Sequence, residues 1–541
     1  MKKVWKKTAD CFRAEMDPEL PAGANVLYTC ANNMSPLRGG SVFFHAGAGD
    51  GDYASDDLVI VGDSERNEYV LAGAVGCRRS FSYFTVRRRN NRTESIGVEQ
   101  PDVPSDGEPE KLLVLHGSDW RKLLIEYAET AAAEMGAPKI RAEKNLCGYC
   151  TWYYDYGKIS DSLFLENVRA IRKTPGRYAR GVAQIDSGYQ RTHGDWLTLK
   201  EGWGRSLEET AREVASLGMT PGIWLAPLIA TTFSELFRAH PDWFVLDSNG
   251  KAKIHAGWDP PPHDQWLCLD GSNPEVHDFL RETFQTLRRF GYRYFKLDAL
   301  GYGLARGTRK DPAATPVSAF RAMMRTIREA VPDAWLLACS SPFLPVVGLV
   351  DSCRIGCDTG MSWDLDAEIP QNSDRHPGRP GVRNAWHDAI ANWWMNDRWF
   401  RCDPDCVMAR RTHTALTEGE SRISVLGALW TGIAFTSDHF GELSEKELRL
   451  LNLAADFRIR NFLPLDWSPD SWPHVFGGTD ERGCPVLAFV NDCDCPISFR
   501  TAPYGMESGT EILIGLGRCS SVTLPPHDAA LLIGDPKGRS R

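Results

Sequence analysis

The 541-residue chain lacks any apolar run long enough to cross a bilayer: its longest, such as Val425 to Phe435, extends about ten residues against the roughly 20 that a spanning helix needs. A helical membrane protein is excluded. Positive charge is not in excess either, with 62 Lys and Arg against 71 Asp and Glu, a net of -9 and no basic stripe, so nucleic acid is excluded as a partner. The 13 His form neither an H-x3-H nor an HExxH pattern, so the usual zinc signatures are missing and no metal or cofactor is expected. Lys2, Lys3, Lys6 and Lys7 open the chain, but Asp10, Arg13 and Glu15 interrupt before the apolar core of a signal peptide can form. A cytoplasmic location is the expectation, with secretion the alternative if a leader has been removed. Internal repeats and low-complexity tracts are lacking too.

What is present is a globular composition: 42% hydrophobic, 25% charged and 18 Trp. At roughly 150 residues per domain, the length implies three or four domains, or one large barrel with attachments. The 15 Cys are odd in number and scattered, which points to free, buried thiols instead of a disulfide scaffold. Cys147 and Cys150 have redox spacing, and the pairs Cys402/Cys406 and Cys493/Cys495 have spacings that metal sites use.

Three zones follow. Residues 1–140 alternate short apolar runs, such as Asp57 to Asp63 and Glu68 to Val75, with turn signals, and are read as an N-terminal β-sandwich. A helix from Trp120 to Met135 leads out of it. Residues 141–457 switch to short strands followed by amphipathic helices, the pattern of a (β/α)8 TIM barrel. The strands expected are Leu146–Trp152, Gly181–Ile185, Thr220–Leu225, Arg293–Leu297, Ala334–Cys339, Leu349–Ile355 and Gly432–Thr436. The helices include Leu207–Leu217, Pro274–Phe290 and Ser318–Val331. The seventh barrel strand is hidden by the Trp-rich stretch Ala385 to Phe400. Residues 458–541 return to strands, at Val486–Val490, Glu511–Gly515 and Ala529–Ile533, and are read as a small antiparallel β-sandwich.

Two constellations carry chemistry. In Tyr294-Phe295-Lys296-Leu297-Asp298, alternation puts Lys296 and Asp298 on one face, with Asp298 at the strand end where a barrel presents its active site. A neighbouring cation keeps a carboxylate ionised, as a nucleophile requires, although an Asp in this place can also cap the next helix. In Arg354-Ile355-Gly356-Cys357-Asp358, both charged side chains can face the same pocket across a Gly turn, or merely pair with each other. Two carboxylates on separate strands are what cleavage of a glycosidic bond requires.

The motifs Cys150-Thr151-Trp152-Tyr153, Gln184-Ile185-Asp186-Ser187-Gly188-Tyr189-Gln190, Gly194-Asp195-Trp196, Gly222-Ile223-Trp224-Leu225-Ala226-Pro227, Tyr294 to Asp298, Cys339-Ser340-Ser341-Pro342, Arg354 to Asp358 and Asp403-Pro404-Asp405 occur in that order. With them the chain resembles glycoside hydrolase family 36, in the clan of retaining α-galactosidases and α-N-acetylgalactosaminidases. The resemblance implies that Asp298 is the nucleophile and Asp358 the acid/base. It implies that Lys296 and Arg354 bind sugar hydroxyls, that Asp186 selects galacto-configured sugars, and that Trp152 and Trp224 wall the pocket. Many relatives have Asp-Asp where this chain has Asp186-Ser187. The loop Cys339-Ser340-Ser341 would face the 2-substituent, and a serine at Ser340 leaves room for an acetamido group, while Phe343 is bulkier than the alanine of N-acetylgalactosamine-specific relatives. The expected function is therefore a metal-independent, retaining exo-α-N-acetylgalactosaminidase acting on a glycan or oligosaccharide. The alternatives are an α-galactosidase, a transglycosylase resembling raffinose synthases, a non-catalytic sugar-binding module, and a thiol oxidoreductase built on Cys147 and Cys150. A homo-oligomer is left open.

Overall fold

The computed structural model describes residues 4–8, 11–16, 26–29, 34–35, 38–39, 43–44, 49–103, 107–138, 145–257, 264–364, 380–467 and 472–536. Eight parallel strands form its central sheet: β1 Leu146–Cys150, β2 Val182–Ile185, β3 Thr220–Leu225, β4 Tyr294–Leu297, β5 Trp335–Ala338, β6 Ser352–Arg354, β7 Arg401–Asp403 and β8 Ile433–Thr436. Their spatial order is β7-β6-β5-β4-β3-β2-β1-β8, so the sheet curls round until β7 approaches β8. The gap is bridged just past β7, where Val407 pairs in parallel with Thr436 and its N–H donates to the Phe435 carbonyl at 2.6 Å. The result is a nearly closed TIM barrel.

Local sequence explains the crossovers. Helix α2, Pro274–Phe290, starts at Asn273, whose side chain accepts the Glu275 N–H, and has Pro274 in its first turn. It buries Val276, Leu280, Phe284 and Leu287 along one face and stops at Gly291, whose φ of 115° only glycine adopts readily. Helix α3, Pro316–Ala330, opens on a reciprocal cap between Thr315 and Ser318. Strand alternation can be checked at β4. Tyr294 stacks on Phe435 inside the barrel with ring centroids 5.0 Å apart, whereas Phe295 packs outward on Phe284 of α2 at 5.3 Å. Lys296 and Asp298 therefore continue the inward face.

Two five-stranded antiparallel sheets precede the barrel, as expected for a β-sandwich, and share a core that includes Ile60, Phe84 and Ile96. Helix α1, Trp120–Met135, follows them. A six-stranded and a two-stranded antiparallel sheet follow the barrel, with Phe489, Phe499, Leu524 and Leu532 packed in one cluster. One strand expectation fails: Glu511–Gly515 is strand only up to Glu511. The buried Glu511 carboxylate turns the chain by accepting the N–H groups of Leu513, Ile514, Gly515 and Leu516. No helix among the described residues is long and apolar enough to cross a membrane.

The Trp-rich stretch that hid β7 is a seam and contains no strand. Helix α4, Val382–Ala391, and the turn Trp393–Met395 pack the N-terminal sheets and α1 onto the barrel. Trp394 is fully buried, lies 5.0 Å from Trp399 and 5.7 Å from Tyr127, and donates to the Tyr28 hydroxyl, which itself donates to the Ala391 carbonyl. Trp394→Ala leaves a void that a seam of large rings closes poorly, so urea unfolding is expected to show a loss of about 3–5 kcal/mol. A loss below about 1 kcal/mol contradicts the assignment of this tryptophan as a keystone of the seam.

Candidate active site

The C-terminal ends of the barrel strands surround a cavity of about 460 Å3. Its lining holds Trp152, Asp186, Ser187, Trp224, Lys296, Asp298, Cys339, Ser340, Arg354, Gly356, Cys357, Asp358 and Pro380. Nine of the ten residues named from sequence thus meet in one place, by count of that lining. Ser341 does not. It is fully buried beneath the wall, and its hydroxyl donates to the Pro342 carbonyl. A larger groove, about 660 Å3, lies between residues 444–456 and the C-terminal sheet, and several of its charged lining residues are already in ion pairs, such as Lys446 with Glu418 and Arg422 with Asp528.

Asp298 sits one residue past β4, held from three sides. Trp224 donates its indole N–H to Oδ2 at 3.0 Å, and the Ala299 N–H reaches Oδ1 at 2.7 Å. The second contact exists because Ala299 takes a left-handed φ of 54°, which folds its amide back on the carboxylate. Burial pushes the Asp298 carboxyl up, but the Lys296 charge and the donors of Trp224, Ser340 and Ala299 outweigh it, holding the group below its ordinary value. Ser340 also has a left-handed φ, 45°, so two non-glycine residues beside this carboxylate are in costly backbone conformations.

Asp358 has the opposite character. Half of its side chain, 50%, faces the cavity, where protein atoms crowd it on the remaining sides. That crowding, then the charge of Asp405, pushes its carboxyl up to about 6 against the pull of Arg354 and Lys296. Arg354 is buried and held by three carboxylates: its NH1 lies 3.2 Å from Asp358, its Nε 3.0 Å from Asp403 and its NH2 2.7 Å from Asp405. Asp405 in turn accepts the Thr359 N–H at 2.9 Å and the Tyr153 hydroxyl. Asp403, the last residue of β7, and Asp405 enter the sequence reading only as the motif Asp403-Pro404-Asp405, with no role given to either; their part in fixing Arg354 follows from the fold.

Opposite lies Asp186, at the end of β2. Its Oδ2 accepts Lys296 Nζ at 2.9 Å, Gln184 Nε2 at 2.6 Å and the Cys150 thiol at 3.3 Å, while Oδ1 accepts, among the described residues, the Ser187 N–H at 2.9 Å. Oδ1 is the oxygen with capacity left for a ligand hydroxyl. The Ser187 hydroxyl accepts Gln190 Nε2 at 3.1 Å, which leaves its own O–H to donate. Trp224 proves to be more than a wall, since it clamps Asp298. Trp152 stands edge-on to Tyr156 with centroids 5.2 Å apart. Burial pushes the Cys339 thiol in the cavity wall well above the usual range and that of Cys147, at the start of β1, up to about 11, the reverse of a redox cysteine.

A family model described as melibiase matches residues 185–326. An α-galactosidase of Geobacillus stearothermophilus is 26% identical over 142 residues, 25% of this chain and 17% of that protein. A protein of Flavonifractor plautii described as an A type blood α-D-galactosamine galactosaminidase is 29% identical over 138 residues, 24% of this chain and 12% of that protein. The aligned stretches therefore span under a fifth of these relatives' own lengths. In three dimensions, an α-galactosidase of Thermus thermophilus solved with p-nitrophenyl α-D-galactopyranoside matches with a TM-score of 0.69 and 22% identity, over 88% of this chain and 92% of that one. The barrel with its flanking sheets has the fold of the solved α-galactosidases of glycoside hydrolase family 36, and residues 185–326 within it carry a melibiase-type segment.

Proposed function

We propose that this chain hydrolyses terminal α-linked, galacto-configured sugars with retention of configuration, α-galactosides first among them. The observation that carries the reading is the pair Asp298 and Asp358: two carboxyls in one cavity, one held down and one raised to about 6. That is the division of labour that a double displacement needs. Asp298 attacks the anomeric carbon while Asp358 gives its proton to the glycosidic oxygen. The C1–O bond breaks, the aglycone leaves as an alcohol, and a β-glycosyl ester on Asp298 remains. Asp358, now ionised, takes a proton from water, which attacks C1 from the face the aglycone left and releases the α-sugar. On this reading Asp186 Oδ1 accepts the axial 4-hydroxyl and the 6-hydroxyl, Lys296, which pairs with Asp186, donates to the 3- and 4-hydroxyls, and Arg354, beside Asp358, serves the 2- and 3-positions.

A second reading, α-N-acetylgalactosaminide cleavage, is favoured by one observation. Phe343, the residue that would crowd an acetamido group, is 1% exposed, faces Phe400 and is absent from the cavity wall, which is formed there by the small residues Cys339 and Ser340. The galactosaminidase among the relatives is consistent with it. Initial rates on p-nitrophenyl α-galactoside and p-nitrophenyl α-N-acetylgalactosaminide, measured side by side, decide the order. A kcat/KM at least about tenfold higher on the galactoside, some 1.4 kcal/mol of transition-state discrimination, is expected. The reverse ratio makes the second reading the function, and no turnover of either overturns both.

A further inference from the structure

The C-terminal sheet holds a cluster of metal-type donors away from the sugar cavity. His474 precedes the strand Val475–Thr479, and Asp492 and Cys493 open the turn that follows the strand Pro485–Asn491. Those two strands are paired, so the three residues meet at one end of the sheet. One donor atom from each lies within 4.8 Å of the others. Asp492 Oδ1 is 3.5 Å from His474 Nδ1 and 3.7 Å from Cys493 Sγ. A tetrahedral ion with bonds of 2.0–2.3 Å has ligand-to-ligand edges of about 3.3–3.7 Å, so these separations are already those of a coordination shell. The other oxygen of Asp492 is held by His387 Nε2 of α4 at 2.7 Å, and Trp472 stacks flat on that imidazole at 4.2 Å. A carboxylate fixed through its second oxygen by a buried partner is how metal sites orient their ligands. The turn is itself braced, Asn491 accepting the Cys493 N–H and donating to the Cys495 carbonyl.

We propose that His474, Asp492 and Cys493 form a binding site for a thiophilic divalent cation of the zinc class, with water as the fourth ligand. Binding is balanced in protons. The Cys493 thiol releases one to solvent, and the His474 proton moves from Nδ1, where it serves the Val490 carbonyl at 3.0 Å, to Nε2. One hydrogen bond is given up for three metal bonds. The ion would pin two strands to the 492–496 turn and, through Asp492 and His387, pin that turn to the barrel helix α4. The role is structural, because the cluster contributes nothing to the lining of the sugar cavity.

The test uses the full chain, freed of metal with EDTA and titrated with cobalt chloride. A thiolate-to-cobalt charge-transfer band that saturates at one ion per chain, and that zinc chloride then bleaches, is expected. Cys493→Ser should remove the band, and His474→Gln, which keeps the thiol, should weaken zinc binding at least tenfold by calorimetry. His387→Gln should weaken it by about 10- to 100-fold through its hold on Asp492. A protein that shows no band, or a band that survives in Cys493→Ser because another thiol holds the cobalt, overturns the site. None of these readouts depends on glycosidase activity, so the site and the proposed reaction stand or fall separately.

Discussion

Asp298→Asn is expected to lower kcat on an aryl α-galactoside by about 10^4-fold or more, with the fold and the cavity intact. The amide keeps one oxygen, which can accept from the Ala299 N–H or from the Trp224 N–H but not from both, and it has no negative charge with which to open the C1–O bond. Lys296 then lacks the carboxylate that it helps hold ionised. Azide should restore part of the activity, because the anion enters where the carboxylate no longer attacks, and the product should be the β-azide, inverted relative to the substrate. An Asp298→Asn enzyme that keeps a tenth of the wild-type rate would remove Asp298 as nucleophile. Recovery of the α-azide would do the same, since it implies a second displacement.

Asp358→Asn should divide substrates by leaving group. Cleavage of an alkyl or sugar aglycone, whose departing oxygen needs a proton, is expected to fall about 10^2- to 10^4-fold, while the first step on a p-nitrophenyl glycoside, whose leaving group needs little protonation, changes far less. Equal losses on both classes would contradict the acid role. The wild-type pH profile follows from the same two groups. The proposed mechanism requires Asp298 ionised and Asp358 protonated, so kcat/KM should decline above about pH 6 as Asp358 loses its proton, and decline again at low pH as Asp298 gains one. In Asp358→Asn the alkaline limb should vanish. Stability moves the other way: the folded-state value of Asp358 is raised from 3.8 to about 6, so its protonated form is the one that the fold prefers. Removing the ionisable group should therefore raise the melting temperature at neutral pH, with the gain fading as pH falls through 6 towards 4.

Much of this was legible in the sequence because barrel strands leave a local trace. β3 reads directly as Thr220–Leu225, and α1 and α2 match their expected limits, since an apolar run, a cap and a glycine stop all lie within one segment. β7 was not legible. Arg401–Asp403 is three residues long, too short for any alternation to show, and the tryptophans before it are apolar for the sake of a seam with residues some 270 to 370 positions away, as the bonds from Trp399 to Ala128 and Trp394 to Tyr28 illustrate. The Glu511 turn was missed for a related reason: Ile512 to Ile514 has a strand's composition, and only the carboxylate that gathers its amides makes it a turn. In the site, motifs brought the right residues to the cavity, yet the roles of Asp405, Tyr153 and the Trp224 N–H depend on side chains from distant strands converging. Ser341 failed because a tripeptide motif says nothing of which way each side chain turns.

The company that Arg354 keeps has a consequence for how the cavity treats charge. Asp186 and Asp298 in the wall, with Asp403 and Asp405 behind Arg354, formally outnumber Lys296 and Arg354, so the site carries a standing negative excess even while Asp358 keeps its proton. A resting sugar gains little from such a field. In the proposed reaction the same ring does gain as its anomeric carbon turns cationic on the way between aglycone and enzyme, because the opposing charge is already in place and need not reorganise. Selectivity between ground state and transition state is thus built into the unequal count of fixed charges, before any single contact to the substrate is made.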